Sequence, residues 1–297
     1  MKVKNEVFVS IITPTYNRNL LLIDAAESLN KQTNKNFEWI IINDGSTDNT
    51  KEIVEEIIRK YDFRIKAITQ QNKGKAQAIN VGVNEAHGEY VLFLDDDDYI
   101  TEEAIQQIIN VSEFGSNDKI AGLGFLRFDK TSRKTLSGEI NPRILSSLEV
   151  FDRNIVGDKV EVFKTKILKK FPFPQFGNEK FVPEALVWNR IASSGFKIYW
   201  TNIPIYGCEY LATGLSCNID AVLMDNILGY SQYIKEILSY NLKIKTKFRQ
   251  LVAYNRRCYL RQLNYEEICS FIRIGTIKNI PFYLFGILFY YVRKKRN

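Results

Sequence analysis

Tyr90-Val91-Leu92-Phe93-Leu94-Asp95-Asp96-Asp97-Asp98-Tyr99 runs from five residues suited to a buried strand straight into four carboxylates. A short apolar run bounded by polar residues reads as an interior strand of a parallel sheet. Like charges side by side destabilise a fold unless something neutralises them. Four aspartates at one strand end therefore call for a cation, and all-oxygen ligands point to a hard one, Mg2+ or Mn2+. The carboxyl end of a parallel strand is also where open α/β sheets bind ligands. A solvated acidic loop is the plainer alternative for an isolated acidic run; the buried strand directly before it favours a metal site.

Upstream of this stretch, strand and helix patterns alternate. Residues 7–13 are predicted as a strand ended by Pro14, which cannot donate to a ladder. Residues 20–30 have helical spacing. Residues 37–43 form a second strand, followed by the turn Asp44-Gly45-Ser46-Thr47-Asp48, where Ser46, Thr47 or Asp48 can cap a helix reaching Tyr61. Residues 65–69 are a third strand and residues 76–85 a helix, with a break at Gly88. Four strand–helix alternations with short links predict an α/β fold, a mostly parallel central sheet covered by helices on both faces.

Downstream, the pattern predicts a helix from Thr101 to Ser112, strands over 120–128 and 160–163, a helix entered at Pro183 and reaching Gly195, and a strand over 197–201. Residues 129–158 are polar and fit no single pattern. Residues 219–240 and 244–275 read as helical and rich in tyrosine and lysine. A boundary near 212 then gives a first domain over 1–212 and a helical C-terminal extension over 213–297.

The 297 residues carry a net charge of +7, with Arg293, Lys294, Lys295 and Arg296 clustered at the end. Basic residues interleaved with aromatics along a face, the pattern of a nucleic-acid binder, occur only at that extreme end. Cys208, Cys217, Cys258 and Cys269 form no CxxC pair, and the lone His87 does not complete a zinc site with them. They read as reduced, mostly buried thiols, and with a polar N-terminus they predict a cytoplasmic protein.

Three strand ends converge on one sheet edge. The first offers Pro14, Thr15, Tyr16 and Asn17; the second Asp44 and Gly45; the fourth the aspartates. Tyr16 can stack on a flat base, Asp44 can accept from a ring N–H, and Gly45 permits close backbone approach. Gln71-Asn72-Lys73-Gly74-Lys75 leads into a helix N-terminus, where a glycine loop and a lysine can hold phosphate. The GxxxxGK[ST] spacing of a P-loop is absent, as is GxGxxG after the first strand. Separately, Asp44-Gly45-Ser46 is an ordinary turn; with the aspartates it becomes part of a nucleotide site.

Taken together, these residues resemble an inverting family 2 glycosyltransferase of the GT-A fold and non-processive type. The matching segments are residues 9–18 (VSIITPTYNR), 42–48 (INDGSTD), 72–80 (NKGKAQAIN) and 88–98 (GEYVLFLDDDD). They follow the family's order and spacing over roughly the first hundred residues, the next hundred match more loosely, and the last eighty hardly at all.

The resemblance implies a nucleoside-diphosphate-sugar donor and a glycan or lipid-linked acceptor, in cell-surface polysaccharide or glycoconjugate synthesis. It implies that Pro14, Thr15, Tyr16 and Asn17 line the base pocket and that Asp44 bonds the base. Gly74 and Lys75 lie by the nucleotide, and Asp95 and Asp96 lie near ribose and diphosphate. Asp97 is the expected direct ligand of Mn2+ or Mg2+, with Asp95 or Asp98 left open by four aspartates in register. Many relatives carry arginine where Ile79 stands, so that contact is missing. The family places its general base in an acidic pair six or seven residues before an arginine. Aligned on Trp188 and Arg190, the second member is Glu184 and the first falls on Pro183; Glu179 is the reserve. A first-turn glutamate complementing the helix dipole is the plainer role for Glu184.

Processive synthases of the family carry QxxRW, absent here, so single-sugar transfer is expected. The run 280–292 is short for a membrane span. Followed by four basic residues, it fits an interfacial segment on an anionic membrane surface, or a helix packed on the body or on a second subunit in an oligomer. His87 reads as structural. Two rivals are a sugar nucleotidyltransferase, which would carry a basic glycine-rich loop after its first strand, and a non-catalytic nucleotide-binding module.

Overall fold

The apolar runs of the first half alternate inward-facing residues on two sides of one sheet. The computed structural model describes residues 7–141, 143–208 and 218–294. In chain order come β1 (Val9–Thr15), α1 (Leu21–Asn30), β2 (Phe37–Asn43), α2 (Thr50–Lys60), β3 (Arg64–Thr69), α3 (Lys75–Glu85) and β4 (Tyr90–Phe93). Next are β5 (Tyr99–Ile100), α4 (Ala104–Ser112), β6 (Ile120–Asp129), β7 (Ile144–Leu145), α5 (Ser147–Asp152), β8 (Lys159–Lys164) and α6 (Thr165–Leu168). Then follow α7 (Ala185–Ser193), β9 (Lys197–Cys208), α8 (Ile219–Asp225), α9 (Ile227–Ser239), α10 (Ile244–Leu260), α11 (Tyr265–Ile272) and α12 (Thr276–Lys294).

The strands form one mixed sheet in the order β3-β2-β1-β4-β8-β6-β9-β5, with β7 also on β9. The first four are mutually parallel, as the alternation predicts. β4 is interior but only half parallel: its far side pairs antiparallel with β8. On one face Val9, Ile11, Trp39, Ile41, Tyr90 and Leu92 meet buried residues of α1, α2 and α4. On the other, α3 lies so close that a Cβ at Gly82 would sit 2.4 Å from Ile12. Trp188 of α7 stacks on Phe93 with ring centres 5.9 Å apart and packs at a tilt on Phe163 at 4.5 Å. Each fully buried large apolar side chain contributes about 1.5–3 kcal/mol, so the two-sided core fixes the strand ends.

Pro14 does not end β1, contrary to the sequence expectation: it pairs in register with Ile42, and the strand continues to Thr15. The polar groups of successive strand residues point to alternate sides. Ile12 accepts from Leu94 on the β4 side, and Thr15 accepts from Asp44 on the β2 side. Pro14 thus turns its missing donor toward the β4 flank, where the last β4 partner is Phe93 opposite Ile12. Residues 129–158, unplaced by pattern, hold β7 and α5, whose Ser146–Glu149 capping box starts the helix.

The backbone divides into two compact units. One holds the described residues through Pro174 and those from Val187 to the end of β9; the other holds Gln175–Leu186 and the described residues from 218 onward. The boundary read near 212 falls outside the described residues, as does Cys217; Cys208, Cys258 and Cys269 are free and buried. Within the second unit, Leu223, Tyr230, Ile234, Leu251, Tyr254 and Ile268 share a core. The stretch 219–240 is two helices, broken at Asn226, whose side-chain oxygen accepts from the Lys180 and Phe181 amides. The stretch 244–275 is also broken, and Asn264 caps α11.

Candidate active site

β1 lies between β2 and β4. The chain leaves β1 for β2 and β3 and returns to β4 on the opposite flank, so connections diverge at the carboxyl ends of β1 and β4. Open α/β sheets hold ligands in the crevice that this divergence opens. His87 precedes β4 at the other sheet edge, its amide donating to buried Glu38.

Loop chemistry at the β1 and β2 ends is interlocked. Asn17, in the left-handed region at φ 53°, accepts the Thr47 amide on its side-chain oxygen, and its own amide donates to Ser46 Oγ. Gly45 has φ +76° and a virtual Cβ only 2.8 Å from the Asn72 backbone nitrogen, so a side chain is excluded there. Asp44 is buried, and its carboxylate accepts from Gln70 Nε2 at 2.7 Å and from the Lys73 and Gly74 amides at 2.9 and 2.7 Å. It therefore holds the 70–74 loop against the β2 end, and with three of about four lone-pair positions used, one acceptor position remains. Thr15 is buried; Tyr16 is 45% exposed, a ring with an open face.

The aspartates meet cations that the chain itself supplies. Thr15 Oγ1 donates to Asp96 at 2.8 Å, and Arg18 bridges Asp96 and Asp97 at 2.9 Å each. Lys75, the first residue of α3, pairs with Asp95 at 2.7 Å. Arg127 of β6 approaches Asp98 at 3.8 Å and lies 4.4 Å over the Tyr206 ring of β9, while the Asp95 amide donates to Tyr206 Oη at 3.0 Å. Three basic side chains thus stand against four carboxylates, and the neutralisation the sequence calls for is partly internal. Burial pushes Asp96 up to about 6 despite Arg18 and Thr15. Burial and the neighbouring Asp95 push Asp98 up to about 7 against the pull of Arg127. Partial burial raises Asp95, but Lys75 and Arg127 outweigh it and leave it below the ordinary carboxylate range. Burial carries the Tyr206 phenol well above its usual value, keeping it a neutral hydrogen-bonding group.

Among the described residues, no three His, Cys, Asp or Glu side chains converge on one point as a metal cage. Mg2+-type sites usually take one or two carboxylates and complete their shell with substrate phosphates and water. Asp95 and Asp97 keep side-chain exposures of 28% and 17%, offer only hard oxygens, and sit in a cluster with more carboxylates than cations. The residues fit a divalent cation whose remaining ligands come from outside the protein.

Glu179 and Glu184 belong to the second unit. Glu179 accepts from the Leu228 and Gly229 amides at 2.7 and 2.8 Å, so its carboxylate closes the N-terminus of α9. Glu184 stands in the turn directly before α7. Sequence reasoning assigned no role to Arg18, Arg127 or Tyr206. An arginine inside the otherwise apolar Leu126-Arg127-Phe128 was the readable signal, since buried arginines need a partner.

The family model for Glycosyl transferase family 2 matches residues 10–173. Glycosyltransferase GlyG of Streptococcus pneumoniae is 35% identical over 124 residues, which cover 41% of this chain and 40% of its own length, so the chain spans less than half of that relative. The GalNAc(5)-diNAcBac-PP-undecaprenol beta-1,3-glucosyltransferase of Campylobacter jejuni is 29% identical over 299 residues, covering 94% of this chain and 92% of its own. The solved structure of mannosyltransferase PcManGT from Pyrobaculum calidifontis, in complex with GDP-Man and Mn2+, superposes with a TM-score of 0.58 at 14% identity, over 94% of this chain and 74% of its own. The sheet and its flanking helices form the GT-A fold.

Proposed function

Because the chain belongs to glycosyl transferase family 2, we propose that it moves one sugar, with inversion, from a nucleoside-diphosphate-sugar to a hydroxyl of a glycan or lipid-linked acceptor in cell-surface glycoconjugate synthesis. The observation that carries this reading is the cluster at the carboxyl ends of β1 and β4, where Thr15, Arg18, Lys75, Arg127 and the four aspartates are joined by hydrogen bonds and ion pairs. The lipid-linked class of acceptor is drawn from the name of the C. jejuni relative, which matches nearly end to end.

In this reading Tyr16 stacks on the base and the remaining acceptor position of Asp44 takes a base N–H. Lys75 faces the diphosphate from the α3 N-terminus, where the helix dipole also favours negative charge. Asp97, with Asp95 or Asp98, would hold Mn2+ or Mg2+, which would supply positive charge against the departing diphosphate. Glu184 takes the proton of the acceptor hydroxyl as it attacks the far side of the anomeric carbon.

The test is product analysis with a panel of nucleotide-sugars and a polyprenyl-diphosphate-linked acceptor. Release of nucleoside diphosphate with sugar appearing on the acceptor is expected. Release of pyrophosphate from nucleotide and sugar phosphate would instead assign a nucleotidyltransferase.

A second measurement addresses Asp44. Asp44→Ala removes a direct partner of the base and also frees the Lys73 and Gly74 amides that shape the pocket. Nucleotide affinity measured by calorimetry is expected to fall by about 1–3 kcal/mol, the scale for hydrogen bonds to a charged group. An unchanged affinity would leave Asp44 as a loop former only.

A further inference from the structure

α12 is amphipathic in an inverted sense. Its inward side is tightly docked on α10: a Cβ at Gly286 would lie 2.8 Å from the Arg256 nitrogen, and Asn279 exchanges two hydrogen bonds with Asn255 at 2.8 and 3.0 Å, both side chains fully buried. Phe282 packs edge-on against Phe248 with centroids 5.5 Å apart. These contacts fix which side faces out. The outward side carries Ile277 at 81% exposure, Leu284 at 59% and Leu288 at 56%; Phe285, Phe289 and Tyr291 are about half exposed along its margins, where Phe285 also packs on Phe248 and Tyr291 meets Tyr259. No charged residue occurs between Lys278 and Arg293. A helix on a protein surface ordinarily turns polar residues outward, and a continuous exposed apolar face of this kind marks an interaction site.

Charge indicates what covers it. Residues 211–297 hold 14 Lys and Arg against five Asp and Glu, although the whole chain is only +7. Lys278 stands exposed at one end of the apolar face, and Arg293-Lys294-Lys295-Arg296 follow the other end in sequence. An apolar stripe bracketed by basic residues complements a surface that is apolar beneath an anionic layer. Geometry argues against crossing. The stretch from Ile277 to Val292 extends about 24 Å at about 1.5 Å per residue, short of the roughly 30 Å hydrocarbon core. Among the described residues no single helix is long and apolar enough to span, and α11 and α12 are bent 113° apart.

We propose that the outward face of α12 seats in the interface of an anionic lipid bilayer, lying in its plane with the apolar residues below the headgroups. The inference goes beyond the transferase reading and does not rest on it.

The experiment is co-sedimentation of the full chain with phosphatidylcholine vesicles and with mixed phosphatidylcholine–phosphatidylglycerol vesicles, without donor or acceptor. Binding to the mixed vesicles, weakened by added salt, is expected, with much weaker binding to phosphatidylcholine alone. Leu284→Glu/Leu288→Glu, at two exposed positions, should retain the helical circular dichroism of wild type and lose vesicle partitioning by at least about tenfold, because it places charge in the apolar layer. Wild-type protein that stays in solution with mixed vesicles would overturn the proposal, as would a double variant that binds like wild type. A wild-type dimer that the double variant converts to monomer, with no vesicle binding by either, would assign the face to a second copy instead.

Discussion

Asp97→Ala is expected to lower sugar transfer by about a thousandfold or more, on the scale of losing several kcal/mol of metal-derived charge stabilisation in the transition state. Excess EDTA should do the same to wild type. The change is chemically clean at this position. Asp97 is only one of two carboxylates that Arg18 holds, so its removal leaves Arg18 paired with Asp96 and strands no buried charge. Asp96→Ala would be harder to interpret, because it also removes the partner of buried Thr15 and the more enclosed half of the Arg18 bridge. Thermal unfolding of Asp97→Ala should therefore stay near wild type while turnover is lost. The same logic predicts that nucleotide and cation bind cooperatively, since the described residues alone offer no complete cage. Wild-type turnover undiminished in EDTA, or Asp97→Ala turning over normally with Mn2+, would remove the metal from the mechanism.

The strands of the first hundred residues were legible because each apolar run is short, bounded and followed by a turn signal. Continuous apolar runs in alternation with helices mark strands buried on both faces, and β1 and β2 are buried along their whole length. The convergence of the β1, β2 and β4 ends on one edge follows from that alternation alone. What could not be read was the neutralisation of the aspartates. Arg127 and Tyr206 reach Asp98 and Asp95 from strands 29 and 111 positions further along the chain, and nothing local to β6 or β9 reports that these side chains reach the aspartates. Asp44 shows the same limit in another form. A strand-end aspartate before Gly-Ser reads as a turn, whereas its three loop partners, Gln70, Lys73 and Gly74, come from the far end of β3. Pro14 misled because the rule about missing donors applies only on the flank where a partner strand continues. Residues 129–158 escaped because β7 is two residues long and α5 six, too short for any period to register.

Glu184→Gln carries the other large effect. An inverting displacement needs a carboxylate that removes the acceptor proton, and sequence alignment alone offered Glu184 and Glu179. Glu179 already has a structural task. Glu179 spends both oxygens on the Leu228 and Gly229 amides at the start of α9. Such charge-assisted bonds at a helix N-terminus hold the carboxylate in place, which suits an anchor. Glu184 sits in the turn before α7, six residues ahead of Arg190. The amide keeps the shape and volume of the side chain but does not take the proton. Glu184→Gln is thus expected to bind donor within about twofold of wild type and to turn over more slowly by roughly 10²–10⁴, the range for general-base catalysis. Glu179→Gln should act differently, lowering stability through α9 by about 1 kcal/mol or more while leaving the rate per folded molecule little changed. Normal turnover by Glu184→Gln with a dead, fully folded Glu179→Gln would exchange the two assignments. Activity in both would move the base elsewhere in the chain.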